Sequence, residues 1–452
     1  MRNATRRASL LIVVLTYALT AQAPNLIAPT PPMGWNSWDS YGLTISQGEF
    51  LANADYMTAN LRQHGWQYAV VDEGWFLRNP EAKPPQKLEY TMDEYGRFTP
   101  AVSRFPGAGG DVGFKKLARE IHNRHLLFGI HIVRGIPREA VVKNLPIAGS
   151  QFRAADAANK SDTCGWNSDN YGIAANAAGQ AYYDSIASLY ASWGVDLVKI
   201  DCISAPYKGD EIRMFSEALH KTTRPFVLSL SPGPTPIDEI ANLRKYAQMW
   251  RISNDVWDHW AQWPHAAWSQ GVLGQFTLAA EWASLAEPGH WPDADMLPFG
   301  FLGPRPGQGK TRTGALTADE GRTMMTLWCM MRSPLMIGTN LTRMDTTTRA
   351  LLTNDEVITA DQHSTGGRQM SNEGQKIVWA SHGEKPGIAY VALFNTGDGQ
   401  QDIEYPLQSL GLATTSFAIR DVWQHKDIGT ADRVKATLRS HASALFRLTA
   451  SK

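Results

Sequence analysis

VDLVKIDCIS, Val195–Ser204, is an apolar run that carries Lys199 and Asp201 inside it. Residues two apart on a strand point to the same side, so the ammonium and the carboxylate face one way. A nearby ammonium favours the ionised carboxylate, and an ionised, positioned Asp is a nucleophile. A Lys-Asp pair that serves only the scaffold would read the same way, so the segment is judged together with its neighbours.

Seven other short apolar runs share its form: MGWNSW (Met33–Trp38), YAVVDE (Tyr68–Glu73), LLFGIHI (Leu126–Ile132), PFVLSLS (Pro225–Ser231), MWRIS (Met249–Ser253), PDADML (Pro292–Leu297) and PLMIG (Pro334–Gly338). Between them lie stretches with apolar residues at three- and four-residue spacing, among them GEFLANADYMTANLRQHG, AYYDSIASLYASWG and ADEGRTMMTLWCMM, the last opened by Thr317 as a helix cap. Eight strand-helix units predict an α/β fold, a (β/α)8 TIM barrel, over residues 24–363. Pro292–Leu297, the seventh strand in chain order, is the weak member, because periodicity alone does not isolate it.

Gly366 and Gly367 end this rhythm. Beyond them KIVWASH, GIAYVALFNT, DIEYPL, SFAIRDVW and SALFRLT alternate or are β-branched, with turn residues between, which predicts a C-terminal antiparallel β-sandwich over 364–452. The irregular stretches Gly135–Tyr171 and Phe301–Leu316 are candidate active-site loops.

Composition narrows the function. The 452 residues are 43% hydrophobic and 19% charged, with 43 basic and 43 acidic side chains, so there is no basic surplus for nucleic acid or an anionic membrane. Residues 1–23 read as a signal peptide, with Arg2, Arg6 and Arg7 before the apolar core Leu10–Thr20 and Ala21-Gln22-Ala23 at the cleavage position. The core is shorter than the ~20 residues a bilayer span needs. Together these predict an exported protein, periplasmic or extracellular, with no membrane span in the mature chain. Three cysteines make neither a disulfide framework nor a zinc site; Cys164 and Cys202 can pair in an oxidising compartment or remain two buried thiols.

In a barrel, catalytic groups come from the C-terminal ends of the strands. Polar residues gather there: Trp38 and Asp39, Asp72 and Glu73, His131, Lys199 and Asp201, Ser231, Arg251 and Asp255, Asp293 and Asp295. In MWRISNDVWDHW (Met249–Trp260), Asp255 is flanked by Trp250, Trp257 and Trp260, and aromatic walls would raise its pKa by desolvation and keep it protonated as a general acid. Asp258 is the competing candidate, expected one helical turn on to face solvent or cap a helix. One ionised and one protonated carboxyl about 5–5.5 Å apart is the retaining-glycosidase arrangement. Sixteen Trp, several at strand ends, support a carbohydrate substrate whose C–H face stacks on indole.

PPMGWNSWDSYG, VVDEGW, VDLVKIDC, WRISNDVWD, HWPDADML and RSPLMIGTNL, in this order, resemble glycoside hydrolase family 27, the α-galactosidase and α-N-acetylgalactosaminidase family. The resemblance implies Asp201 as nucleophile and Asp255 as acid/base, with no cofactor and no metal. It implies substrate contacts from Trp38, Asp72, Lys199, Arg251 and Asp295. Glu73, His131 and Ser231 are expected to contact the substrate as well, although they depart from the family pattern: Glu73 replaces a second Asp, His131 a Tyr, and Ser231 a Glu. The expected activity is retaining exo-hydrolysis of terminal α-D-galactosyl residues, with β-L-arabinopyranosides as the alternative because of Glu73, and α-N-acetylgalactosaminides behind them because of Ser231. Two other classes fit less well. A carbohydrate-binding protein on the same barrel would have lost a carboxyl, and a metal-dependent hydrolase built on Asp72, Glu73, Asp293 and Asp295 would want a His-x-His pair.

Overall fold

The computed structural model describes residues 26–110, 112–262, 268–410 and 416–450; the predicted signal peptide lies outside them. All eight expected strands form, as β1 (Met33–Asn36), β2 (Tyr68–Val71), β3 (Leu127–Val133), β4 (Leu197–Asp201), β5 (Val227–Leu230), β6 (Met249–Arg251), β7 (Trp291–Asp293) and β8 (Leu335–Ile337). Each pairs in parallel with the next from β1 through to β7, and β8 pairs with β1. The last seam closes through a single parallel bridge, Leu297 with Ile337. The seventh unit is irregular because Asp295 adopts a left-handed backbone (φ 81°), which breaks the ladder two residues after β7.

Alternation along the strands sorts the side chains. Inside the barrel, Val70, Leu197, Val227, Met249, Trp291 and Met336 form a small apolar plug. One pleat further along the same strands the inward positions turn polar, with Asp72, Lys199, Ser229, Arg251 and Asp293, and Asp201 follows one pleat beyond Lys199. Val198 and Ile200, on the opposite face of β4, are fully buried in the large core between sheet and helices. The interior is therefore dry at one end and charged at the other, and the charged end is where the loops open.

Helix Ala318–Met331 joins the two domains. Its N-terminus is closed by a capping box between Thr317 and Glu320, and nearly every residue after Arg322 is buried. A helix apolar on all sides needs cover on all sides, and the C-terminal domain supplies it: Thr323 Oγ1 donates to the His441 carbonyl (2.6 Å) and Trp423 Nε1 to Thr326 Oγ1 (2.9 Å). Gly367 is required at this seam, since a Cβ there would stand 2.1 Å from the Met330 carbonyl oxygen.

The sandwich has a six-stranded antiparallel sheet, in spatial order Ser364–Glu373, Lys376–Gly383, Ile388–Asn395, Ser443–Ala450, Phe417–Asp421 and Lys426–Ala431, facing the pair Gln401–Pro406 and Arg433–Leu438. Apolar runs locate five of these strands. Ser364–Glu373, Lys426–Ala431 and Arg433–Leu438 carry few buried apolar side chains and escape a hydrophobicity pattern; two of them are the sheet edges, where a charged, exposed sequence guards against further pairing.

Candidate active site

A cavity of about 370 Å³ opens at the charged end of the barrel. Its floor and walls include Trp38, Asp39, Asp72, Glu73, Lys199, Asp201, Ser231, Arg251, Asp255, Asp295 and Met296, so of the polar residues that the sequence gathers at the strand ends only His131 and Asp293 are missing from the lining. His131 is fully buried, with Nε2 3.2 Å from Asp201 Oδ2. It sits behind the carboxylate and has no surface to offer a sugar, which corrects its expected place among the substrate contacts.

Asp201 ends β4 and is held on both oxygens, Oδ2 by His131 and Oδ1 by the Cys202 backbone amide. Burial works to raise its pKa, and the His131 hydrogen bond, the His131 and Lys199 charges and the Cys202 amide together outweigh it, so the carboxyl is held below its ordinary range. Lys199 does not bond Asp201. Its Nζ lies 2.9 Å from Asp72 Oδ2, which also accepts from Asn36 Nδ2 at 2.7 Å. Burial disfavours the ammonium, and the facing Asp72 and Asp201 charges reverse this and push its pKa up. The two charges in Val195–Ser204 thus serve different partners while sharing one field.

Asp255 lies beyond β6 with its side chain 40% exposed, and Oδ1 accepts from Arg251 at 3.1 Å. The expected aromatic seal does not form: Trp250 and Trp257 are themselves buried, and the carboxyl looks into the open cavity. Arg251 bridges Asp255 and Asp295 (2.9 Å to Oδ2). Burial, with the Asp255 and Asp293 charges, pushes Asp295 up against the opposing guanidinium. The competing carboxylate, Asp258, does not face solvent. It is completely buried, forms a two-pronged ion pair with Arg312 (2.6 and 2.9 Å) and accepts from the Ala315 amide (2.9 Å), so it anchors the loop Phe301–Leu316. That loop reaches the site indirectly, by packing Gly307 against the Trp38 indole, where a Cβ would stand 2.5 Å from the ring.

Glu73 lines the cavity with Oε1 fixed by Asn167 Nδ2 at 2.6 Å. Burial raises its pKa to about 7; His131 opposes the rise, and Asp201, Asp169 and Asp72 add to it. Asn167 belongs to a segment, Trp166 to Asp169, that the sequence placed only within a long candidate loop. All four residues line the cavity. They are brought there by a disulfide between Cys164 and Cys202, with Cα atoms 5.9 Å apart, while Cys329 is a buried free thiol. The carboxylates are interleaved with cations, and among the described residues no group of three or more His, Cys, Asp or Glu is spaced to hold a metal ion.

The chain as a whole is similar to known proteins. Residues 167–363 match the family model described as alpha galactosidase A, and residues 373–448 the model for the alpha galactosidase C-terminal beta sandwich domain. Two structures of a GH27 β-L-arabinopyranosidase from Geobacillus stearothermophilus, one of a variant in complex with arabinose, are similar over 94% of this chain and 97–98% of theirs, with TM-scores of 0.88 and 43–44% identity. The alpha-galactosidase of Cyamopsis tetragonoloba is 27% identical over 434 residues, 94% of this chain and 88% of its own. Alpha-galactosidase A of Cellvibrio japonicus is 26% identical over 456 residues, 97% of this chain and 96% of its own.

Proposed function

Because the chain belongs to glycoside hydrolase family 27, we propose that it removes terminal sugars of galacto ring configuration, α-D-galactosyl and β-L-arabinopyranosyl, one at a time and with retention at the anomeric carbon. The observation that carries this reading is the pairing of a half-buried Asp201, held ionised by His131 and Lys199, with a more exposed Asp255 in one cavity. A pocket rather than a through-groove admits a chain end.

In the first step an Asp201 oxygen bonds to the anomeric carbon as the glycosidic C–O bond breaks, and Asp255 gives its proton to the departing oxygen. In the second, Asp255 takes a proton from water, the water oxygen bonds to the anomeric carbon and the Asp201 ester is released. His131 and Lys199 keep the nucleophile charged in the free enzyme. Asp72, Lys199, Arg251 and Asp295 present fixed donors and acceptors to the ring hydroxyls, and Trp38 offers a face. No cofactor enters either step.

Glu73 favours the arabinopyranoside of the two. That sugar is galactose without its hydroxymethyl group, and the additional methylene of Glu73, immobilised through Asn167, occupies the wall where a shorter Asp would leave room. The identity of 43–44% to the Geobacillus arabinopyranosidase supports the same choice. Ser231 leaves open wall on another side of the pocket, which supports α-N-acetylgalactosaminides only as a lesser substrate. Export follows from the Arg-led apolar segment before Pro24, and N-terminal sequencing of the processed protein from the periplasm or medium checks it.

Replacing the nucleophile tests the reading. Asp201→Ala is expected to abolish turnover, and added azide to restore it as a glycosyl azide of inverted configuration, because a small anion fits where the carboxylate stood. Near-normal hydrolysis by the variant without azide would overturn the assignment.

A further inference from the structure

Besides its polar residues the cavity has an apolar part to its lining, here called its collar: Leu43, Leu77, Leu88, Trp257 and Trp166. Leu77 and Trp257 are buried and Leu43 and Leu88 half-buried, whereas Trp166 is 56% exposed. Among the described residues its ring stacks on no other aromatic and its indole N–H donates to no protein atom. A large apolar side chain left in water at the rim of a pocket is an informative exception to burial.

The backbone beneath it is fixed. Cys164, two residues before, is bonded to Cys202, which directly follows Asp201. Asn167, one residue after, donates to Glu73 (2.6 Å) and to Asp169 (3.2 Å), and Asp169 accepts from the Tyr90 hydroxyl at 2.6 Å. None of these bonds uses the indole. The loop holds Trp166 in place, and Trp166 does nothing in return for the loop. Ser168, two residues on, is exposed and also lines the cavity.

We propose that Trp166 is the platform of an aglycone subsite, which stacks on the flat C–H face of a pyranose attached to the departing oxygen, with Ser168 beside it for a hydroxyl. The inference rests on the exo-glycosidase reading above. The polar floor takes the terminal sugar; whatever that sugar is attached to crosses the collar, and Trp166 is the one collar residue with an indole face turned to solvent. A rigid aromatic gives contact area with little side-chain entropy to lose, which suits a leaving group that must bind and then depart. The ligand class is a saccharide aglycone, whose flat C–H face the indole meets.

The test compares Trp166→Ala and Trp166→Phe with the parent on two substrates sharing one glycone: the glycosyl fluoride, which has no aglycone to stack, and a disaccharide with a pyranose aglycone. With Trp166→Ala, kcat/KM for the fluoride is expected to stay within about twofold and that for the disaccharide to fall about tenfold or more, chiefly through KM. Trp166→Phe is expected to recover most of the loss, and the thermal midpoints of all three proteins to agree. An equal loss on both substrates, or none on the disaccharide, overturns the subsite. A parent protein inert towards glycosyl fluorides of both galactose and L-arabinopyranose would overturn the glycosidase reading itself.

Discussion

Shortening Glu73 to Asp should shift activity towards α-D-galactosides relative to β-L-arabinopyranosides. Glu73→Asp removes one methylene, which retracts the carboxylate by about 1.5 Å along the side chain. The 2.6 Å bond from Asn167 then stretches to roughly 4 Å and is lost. Asn167 keeps its second acceptor, Asp169 at 3.2 Å, so the loop that carries it stays anchored, also through the Cys164–Cys202 bond. The net change inside the pocket is one methylene of new space where the galactose hydroxymethyl group would go. Space for one methylene is worth about 1–3 kcal/mol, or 10- to 200-fold in kcat/KM. We therefore expect kcat/KM for nitrophenyl α-D-galactopyranoside, divided by that for nitrophenyl β-L-arabinopyranoside, to rise at least about tenfold in Glu73→Asp. Both substrates are to be measured at one pH, because the Glu73 carboxyl titrates near 7. A ratio that is unchanged or lower, including a parallel collapse of both activities, would show that Glu73 does not sense the C6 group.

Asp255→Ala should separate substrates by leaving group: dinitrophenyl glycosides need no protonation and lose little in their first step, whereas sugar-linked substrates lose about 10²–10⁴-fold, and a uniform loss would count against the acid role. His131→Asn removes the bond and charge that oppose burial at Asp201, so the nucleophile's pKa rises and the acidic limb of the kcat/KM profile moves to higher pH; a limb that stays put would mean that another group sets it. The sign follows from the requirement for ionised Asp201, since activity disappears as pH falls through its pKa. Arg312→Ala leaves Asp258 fully buried without its partner and should cost about 3–5 kcal/mol in urea unfolding, whereas a loss below about 1 kcal/mol would show that water or a neighbour replaces the guanidinium.

The barrel is legible in the sequence because its strands stand out as short apolar runs, most of them ending in polar residues, between stretches of helical spacing, and the sandwich because five of its strands are apolar enough to be recognised. The two candidate catalytic carboxyls also carry a local signal, since Lys199 and Asp201 share a strand face by local geometry alone and Asp255 follows the Trp-Arg strand end. What lay beyond it were relations between side chains distant along the chain. Lys199 bonds Asp72, 127 residues away, instead of its near neighbour Asp201. His131 was expected to meet substrate and lies sealed behind Asp201, because the parallel register of β3 and β4 sets it beside Lys199 inside the barrel. Asp258 was expected at the surface, and a guanidinium 54 residues away made its burial tolerable. Trp166 and Asn167 had no pattern to mark them; a disulfide formed by chain reversal carried them to the rim. Strand periodicity is local and survives in one dimension, while the choice of partner for each charge depends on which side chains the closed barrel brings together.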